Sequence, residues 1–144
     1  HRIVAWRIGE ERGRVLIGRY GAGNALNQLY YPTEVVLDKR TNSLIVCDYR
    51  NRRIVRWSRE NPTSGEILIE NIACSGLTLD HDGNLYMIDT GRHEVKRFAR
   101  GQGEGVVVAG GHGSGNRLDQ LNSPAYIFVD HAQSVYVSDY RNHR

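Results

Sequence analysis

A chain of 144 residues, 40% hydrophobic with 16 Gly and 3 Pro, is long enough to bury a core as one ordinary domain or as a piece of a larger one. No apolar run approaches the 18 or so residues that a membrane-spanning helix needs, which excludes such an anchor within it. The formal charge of +3 rests on 19 Lys and Arg, of which only Lys39 and Lys96 are Lys; an anionic partner is admitted, but the balance falls short of a strong nucleic-acid footprint. The chain begins with His1 and shows no charged and apolar leader, so the true N-terminus is expected upstream and the compartment stays open.

In chain order, "HRIVAW" and "RVLIG" read as two short strands, and "GRYGAGNALNQLYYP" (18–32) as a Gly-rich connection. Four strands follow at about 34–38, 44–48, 53–58 and 66–69, separated by the turn sequences "DKRTNS", "YRN" and "SRENPTSG". After the short "ENIACS" the same series returns as "GLTLD", "NLYMID" and "EVKRF". A second Gly-rich connection, "GGHGSGNRLDQLNSP" (110–124), leads into "YIFVD" and "SVYVSDYRNHR". No stretch keeps a helical period for ten residues.

The series is an internal repeat. Asp38, Asp80 and Asp130 stand 42 and 50 residues apart, and Asp48, Asp89 and Asp139 stand 41 and 50 apart. Trp6, Trp57 and Phe98 keep the rhythm at 51 and 41. The unequal spacings come from the Gly-rich connection, which occurs twice, 92 residues apart, and is missing from the middle unit. Repeated four-stranded units of this length point to propeller blades packed about an axis. There is no GH…WD pair for a WD40 unit, and no double Gly with spaced Tyr and Trp for a kelch unit.

The run of Pro32, then "EVVLD", then "SLIVCDYRNRRIVRW" resembles the NHL repeat, and the resemblance covers nearly the whole chain. The middle unit departs from it, with Arg92 at the Asn position and Glu94 at the Arg position. The resemblance implies an all-β fold of four-stranded antiparallel blades, about three blades' worth of a six-bladed β-propeller. Residues 1–18 would be the last two strands of one blade, 33–70 and 75–110 two whole blades, and 125–144 the first two strands of a further one. Three blades do not close a propeller and leave raw edges. The remainder would lie elsewhere in a longer chain, or two copies would join head to tail as a homodimer of six blades.

Antiparallel alternation puts the second-to-third turns and the fourth-to-first connections on one face. Tyr49, Arg50, Arg92, Tyr140 and Arg141 then share that face with the two Gly-rich loops, a mixture of planar aromatics and guanidinium groups suited to binding. Asp48 with Asn51, Asp139 with Asn142, and Asp89 read first as structural: Asp at a strand end bonds backbone N–H groups two residues on, and Asn tolerates left-handed turn geometry. Arg53 and Arg2 would cover apolar surface or pair with such an Asp. The Gly-rich loops read as flexible connections, since neither carries a Lys-Ser/Thr ending nor opens a helix. "DHDGN" (80–84) reads as a hairpin turn with Gly83 in a bulge, because it lacks the alternating oxygen ligands of a calcium loop.

No catalytic set, metal cluster or cofactor site emerges. His81 and His131 take equivalent places a blade apart, and the six histidines form no ligand group. The amidating lyases and lactonase-like propellers that this chain resembles hold zinc or calcium in the channel. Glu34, Gly76 and Tyr126 are what this chain offers at the channel mouth, and only Glu34 is a ligand type. Cys47 and Cys74 read as buried thiols or as a blade-to-blade disulfide, the latter implying an oxidising compartment. The only Asn-x-Ser/Thr spacing, Asn61-Pro62-Thr63, is blocked by proline. The expected function is a non-catalytic platform binding a protein partner through the Tyr/Arg face. Single-stranded RNA on the same face and a channel-based metal-dependent lyase or lactonase are the alternatives.

Overall fold

The computed structural model describes all 144 residues, and they divide into two compact units, His1–Asn71 and Ile72–Arg144. In the first, β1 (Ile3–Ala5) pairs with β2 (Arg14–Ile17). An antiparallel meander of β3 (Pro32–Asp38), β4 (Ser43–Asp48), β5 (Arg53–Ser58) and β6 (Glu66–Glu70) follows, adjacent in chain order. The second unit repeats the meander as β7 (Cys74–Leu79), β8 (Leu85–Asp89), β9 (Glu94–Phe98) and β10 (Gly105–Gly110), then adds the pair β11 (Pro124–Val129) and β12 (Val135–Asp139). Helical geometry is confined to two single 3-10 turns, Tyr49–Asn51 and Tyr140–Asn142.

The second strand of each meander explains its sequence. All five residues of β8, Leu85 to Asp89, are buried, and β4 buries every residue but Leu44. A strand covered on both faces reads as a continuous apolar run, whereas β11 alternates, turning Tyr126 and Phe128 to solvent and Val129 inward. In the first unit Ile17, Leu29, Val46, Val55 and Trp57 form the core, with Ile3, Leu16, Val35 and Leu44 packed against it.

Glycine makes room for the aromatic position of the repeat. A Cβ on Gly13 would collide with the Trp6 ring, on Gly65 with Trp57 and on Gly105 with Phe98. Each of these glycines comes just before or at the start of the outermost strand, so the third strand's large ring can lie flat where a side chain would stand. The first strands β3, β7 and β11 share another irregularity. Their pairing shifts between Pro32 and Glu34, between Cys74 and Leu77, and between Pro124 and Ile127, which bends the strand just after it enters the sheet.

Two expectations about the turns are corrected. The left-handed residue is not Asn51 or Asn142, which lie in the 3-10 turns, but the one after: Arg52 at φ 52° and His143 at φ 55°, with His93 at φ 56° in the middle unit. Nor do Asp48 and Asp139 bond the backbone N–H groups of their own turns, taking only the side-chain amides of Asn51 and Asn142 there, whereas Asp89 accepts the Gly91 N–H at 3.0 Å. The other two carboxylates are committed to the Gly-rich loops.

Candidate functional site

Each of the two compact units contains one copy of the same device beneath its Gly-rich loop. In the first, Asp48 ends β4 with no exposed surface. Its Oδ1 accepts the Tyr30 N–H at 2.6 Å, and its Oδ2 accepts Asn51 Nδ2 and Arg53 Nε, each at 2.7 Å. Arg53 opens β5 directly across the ladder from Asp48. Its remaining nitrogens reach into the Gly-rich loop, Nη1 donating to Asn24 O at 2.8 Å and Nη2 to Ala25 O and Gln28 O at 3.0 Å each. Asn51 Nδ2 adds a bond to Gly23 O at 2.8 Å. A planar guanidinium with five donors can serve a carboxylate and three carbonyls at once; an ammonium cannot hold that geometry.

The second unit repeats the set 91 or 92 residues on. Asp139 accepts the Asn122 N–H at 2.7 Å, and Asn142 Nδ2 and Arg144 Nε at 2.8 Å each. Arg144 then binds Asn116 O, Arg117 O and Gln120 O at 3.1, 2.7 and 3.1 Å, and Asn142 binds Gly115 O at 2.7 Å. Burial pushes the Asp139 carboxyl up, but Asn142, the Asn122 amide and Arg144 outweigh it and hold the group below the usual carboxylate range.

The loops are therefore held, which corrects the expectation of flexibility. Gln28 and Gln120 brace them from inside: Gln28 Nε2 donates to Tyr20 O at 3.2 Å and Gln120 Nε2 to His112 O at 3.0 Å. Gly23 and Gly115 are where those glutamine side chains pass, and a Cβ at either would collide with them. A histidine closes each loop. His1 Nδ1 accepts the Tyr31 N–H at 2.8 Å, and His93 Nδ1 accepts the Ser123 N–H at 3.0 Å.

The middle of the three repeats, β7–β10, lacks both the arginine and the loop. Glu94 stands in the arginine position and pairs with Lys96 at 3.2 Å, while the connection between β6 and β7 is only residues 71–73. Asp89 is left with the Gly91 amide and a 4.0 Å contact to Arg92. Arginine and loop are present together or absent together. Sequence reading saw each but not their bond, since the acceptors are backbone carbonyls that leave no residue-type signature.

On this support sit the side chains expected to bind. Tyr49 and Arg50 occupy the first 3-10 turn, with Arg50 exposed, and the Tyr49 ring lies 6.3 Å from that of Tyr31. Tyr140 and Arg141 take the equivalent turn, Tyr140 being 71% exposed. Each turn is tied to the end of the incoming loop, Arg50 N to Tyr30 O and Arg141 N to Asn122 O, both at 3.1 Å. Arg92 is exposed on the β8–β9 turn, which is as long as the β4–β5 turn. Glu34 is half-buried near the start of β3, and Tyr126 is exposed on β11. The sequence reading missed Tyr20, Tyr30, Tyr31 and Leu118, all exposed on or beside the loops, with Leu118 fully so. In the first unit a cavity of about 630 Å³ opens beside the loop, lined by His1, Arg2, Arg14 and Arg19 and by no carboxylate. No group of three or more His, Cys, Asp or Glu side chains is arranged to hold a metal ion. Cys47 and Cys74 are buried and both are disulfide-bonded, so the reading as free thiols is withdrawn.

No protein-family model matches this chain, and no curated protein does. Solved structures do. A gluconolactonase from Xanthomonas campestris matches at 20% identity and a TM-score of 0.65 over 80% of this chain and 37% of its own. An auxiliary nutrient binding protein from Bacteroides thetaiotaomicron matches at 15% and 0.69 over 99% and 41%, and a virginiamycin B lyase from Staphylococcus aureus at 13% and 0.57 over 81% and 37%. The chain spans about two fifths of the length of these structures. The likeness shows the fold: this is a segment of a β-propeller, built of antiparallel four-stranded sheets.

Proposed function

We propose that this chain is an NHL-type segment of a propeller that binds a protein partner through the loop face. The observation that supports this most directly is the buried Asp–Asn–Arg device beneath each Gly-rich loop. It holds the loop and the Tyr-Arg turn as one rigid piece in each unit, so Tyr49, Arg50, Tyr140 and Arg141 are presented with little ordering left to lose. Tyrosine and arginine are the side chains over-represented at binding hot spots, and the arginine-lined cavity beside the first loop favours a partner surface rich in carboxylates. The two disulfide-bonded cysteines favour an oxidising compartment.

The test compares the chain with a Tyr49→Ala/Arg50→Ala and a Tyr140→Ala/Arg141→Ala variant as bait. A partner retained by the native chain at moderate salt and lost from a variant with an unchanged far-UV spectrum supports the reading. Equal retention by all three sinks it. Fluorescence anisotropy with a short labelled RNA distinguishes the nucleic-acid alternative: binding at low salt that weakens steeply with added salt would replace the protein by RNA.

A second reading is favoured by the similarity to a gluconolactonase and a lyase, in which the segment contributes to a metal-dependent propeller enzyme. Within this chain Glu34 is the acidic residue near the start of a first strand, and its Oε1 accepts its neighbour Val35 N–H at 3.1 Å. Turnover of an aldonolactone with added calcium or zinc by the full-length protein, abolished by Glu34→Gln, would establish that reading.

A further inference from the structure

The hairpin tips of the second unit lie at the opposite end of their strands from the loop face, and they bring two histidines together. Between β7 and β8 the turn 80–84 is fixed by Asp80, whose Oδ1 accepts the amides of Asp82 and Asn84 at 3.0 and 2.9 Å, with Gly83 at φ 84°. Between β11 and β12 the equivalent turn is fixed by Asp130, which accepts the Ser134 amide at 2.8 Å, with Gln133 at φ 62°. His81 and His131 hold the same place in these two turns. The spacing in the sequence had set them a blade apart, but their ring centroids are 6.4 Å apart.

A carboxylate already orients one of the rings. Asp82 Oδ1 lies 3.2 Å from His81 Nε2, and its Oδ2 accepts Gln133 Nε2 from the neighbouring tip at 3.2 Å. A ring held through one nitrogen by a carboxylate, itself held by a second side chain, is the arrangement that fixes a histidine for metal ligation through its other nitrogen. Two imidazoles sharing an ion through bonds of about 2.0–2.1 Å bring their ring centres to roughly 5–6 Å, close to the 6.4 Å that separates these two. The first unit has Lys39 at this turn position, a cation that cannot join such a site.

We propose that His81 and His131 form a two-imidazole site for a zinc-class transition-metal ion, oriented by Asp82 and completed by water. Imidazole suits zinc and nickel, and two protein ligands make the ion exchangeable and not a buried structural metal. Binding would tie the β7–β8 tip to the β11–β12 tip.

Titrating Zn²⁺ into the 144-residue chain, with calorimetry and side-chain histidine NMR, tests this. The expected result is one saturable site at which the His81 and His131 rings shift together. His81→Gln or His131→Gln should weaken it at least tenfold, Asp82→Asn less, and His112→Gln not at all. Both histidines are exposed, so variants with native far-UV spectra isolate the ligand effect. Variants that bind zinc as the native chain does, shifts confined to His1, His93, His112 or His143, or no binding at millimolar zinc would each overturn it.

Discussion

Arg53 makes four hydrogen bonds to four residues, one of them the wholly buried Asp48. Removing the guanidinium strands a buried carboxylate and three carbonyls, so Arg53→Met is expected to destabilise by about 3–5 kcal/mol in urea unfolding, with Arg53→Lys recovering only part. Arg144 makes the same bonds with its side chain 38% exposed, so solvent can replace them and the equivalent change should cost clearly less. Equal losses at the two positions would contradict this. The carboxylates set the pH response. Burial pushes Asp38, Asp80 and Asp139 up, but hydrogen bonds from Thr41, Asn84 and Asn142 lead a larger pull downward, while for Asp130 the Ser134 amide is the leading cause. A folded pKa below the unfolded one adds stability above the unfolded value of about 3.9 and loses it as pH falls through the folded value. The thermal midpoint is expected to hold between pH 7 and 5 and to drop below about pH 4; a midpoint falling already near pH 6 would implicate other groups.

At the scale of the element, the large ring on each third strand depends on a glycine seven or eight residues on. Gly65→Ala would drive a Cβ into Val55 and Trp57 and is expected to cost about 1–3 kcal/mol, whereas Gly103→Ala, with open space around it, should change stability by less than about 0.5. Chemical denaturation of the two variants checks this. The rhythm of Trp6, Trp57 and Phe98 was legible in the sequence; the glycine that accommodates each was not, because it sits among turn residues where glycine is already expected. The strands were legible for a related reason: β4 and β8 are buried on both faces, and uninterrupted apolar runs ending in Asp mark them. The Gly-rich loops misled, since their order comes from Gln28, Gln120 and carbonyl acceptors and not from any apolar pattern.

For the whole molecule, repeat spacing led to a propeller, and the likeness to propeller structures supports that class, while the repeat type and the number of blades belong to the proposal. The sheets β1–β2 and β11–β12 have two strands each, so β1 and β12 each present an unpaired edge. The isolated 16.3 kDa chain is expected to self-associate; sedimentation should show a heavier species, with a clean dimer favouring head-to-tail pairing, and a stable monomer would contradict it. The central claim, that a buried Asp–Arg pair turns each Gly-rich loop into a rigid support for the Tyr-Arg corner, is tested most directly by amide hydrogen exchange. Protection at Gly23, Tyr30 and Arg50, and at Gly115, Asn122 and Arg141, comparable to that of the strands, and lost from the first set alone in Arg53→Met, is the expected result. Exchange of these amides at the rate of an unstructured chain in the native protein would contradict it.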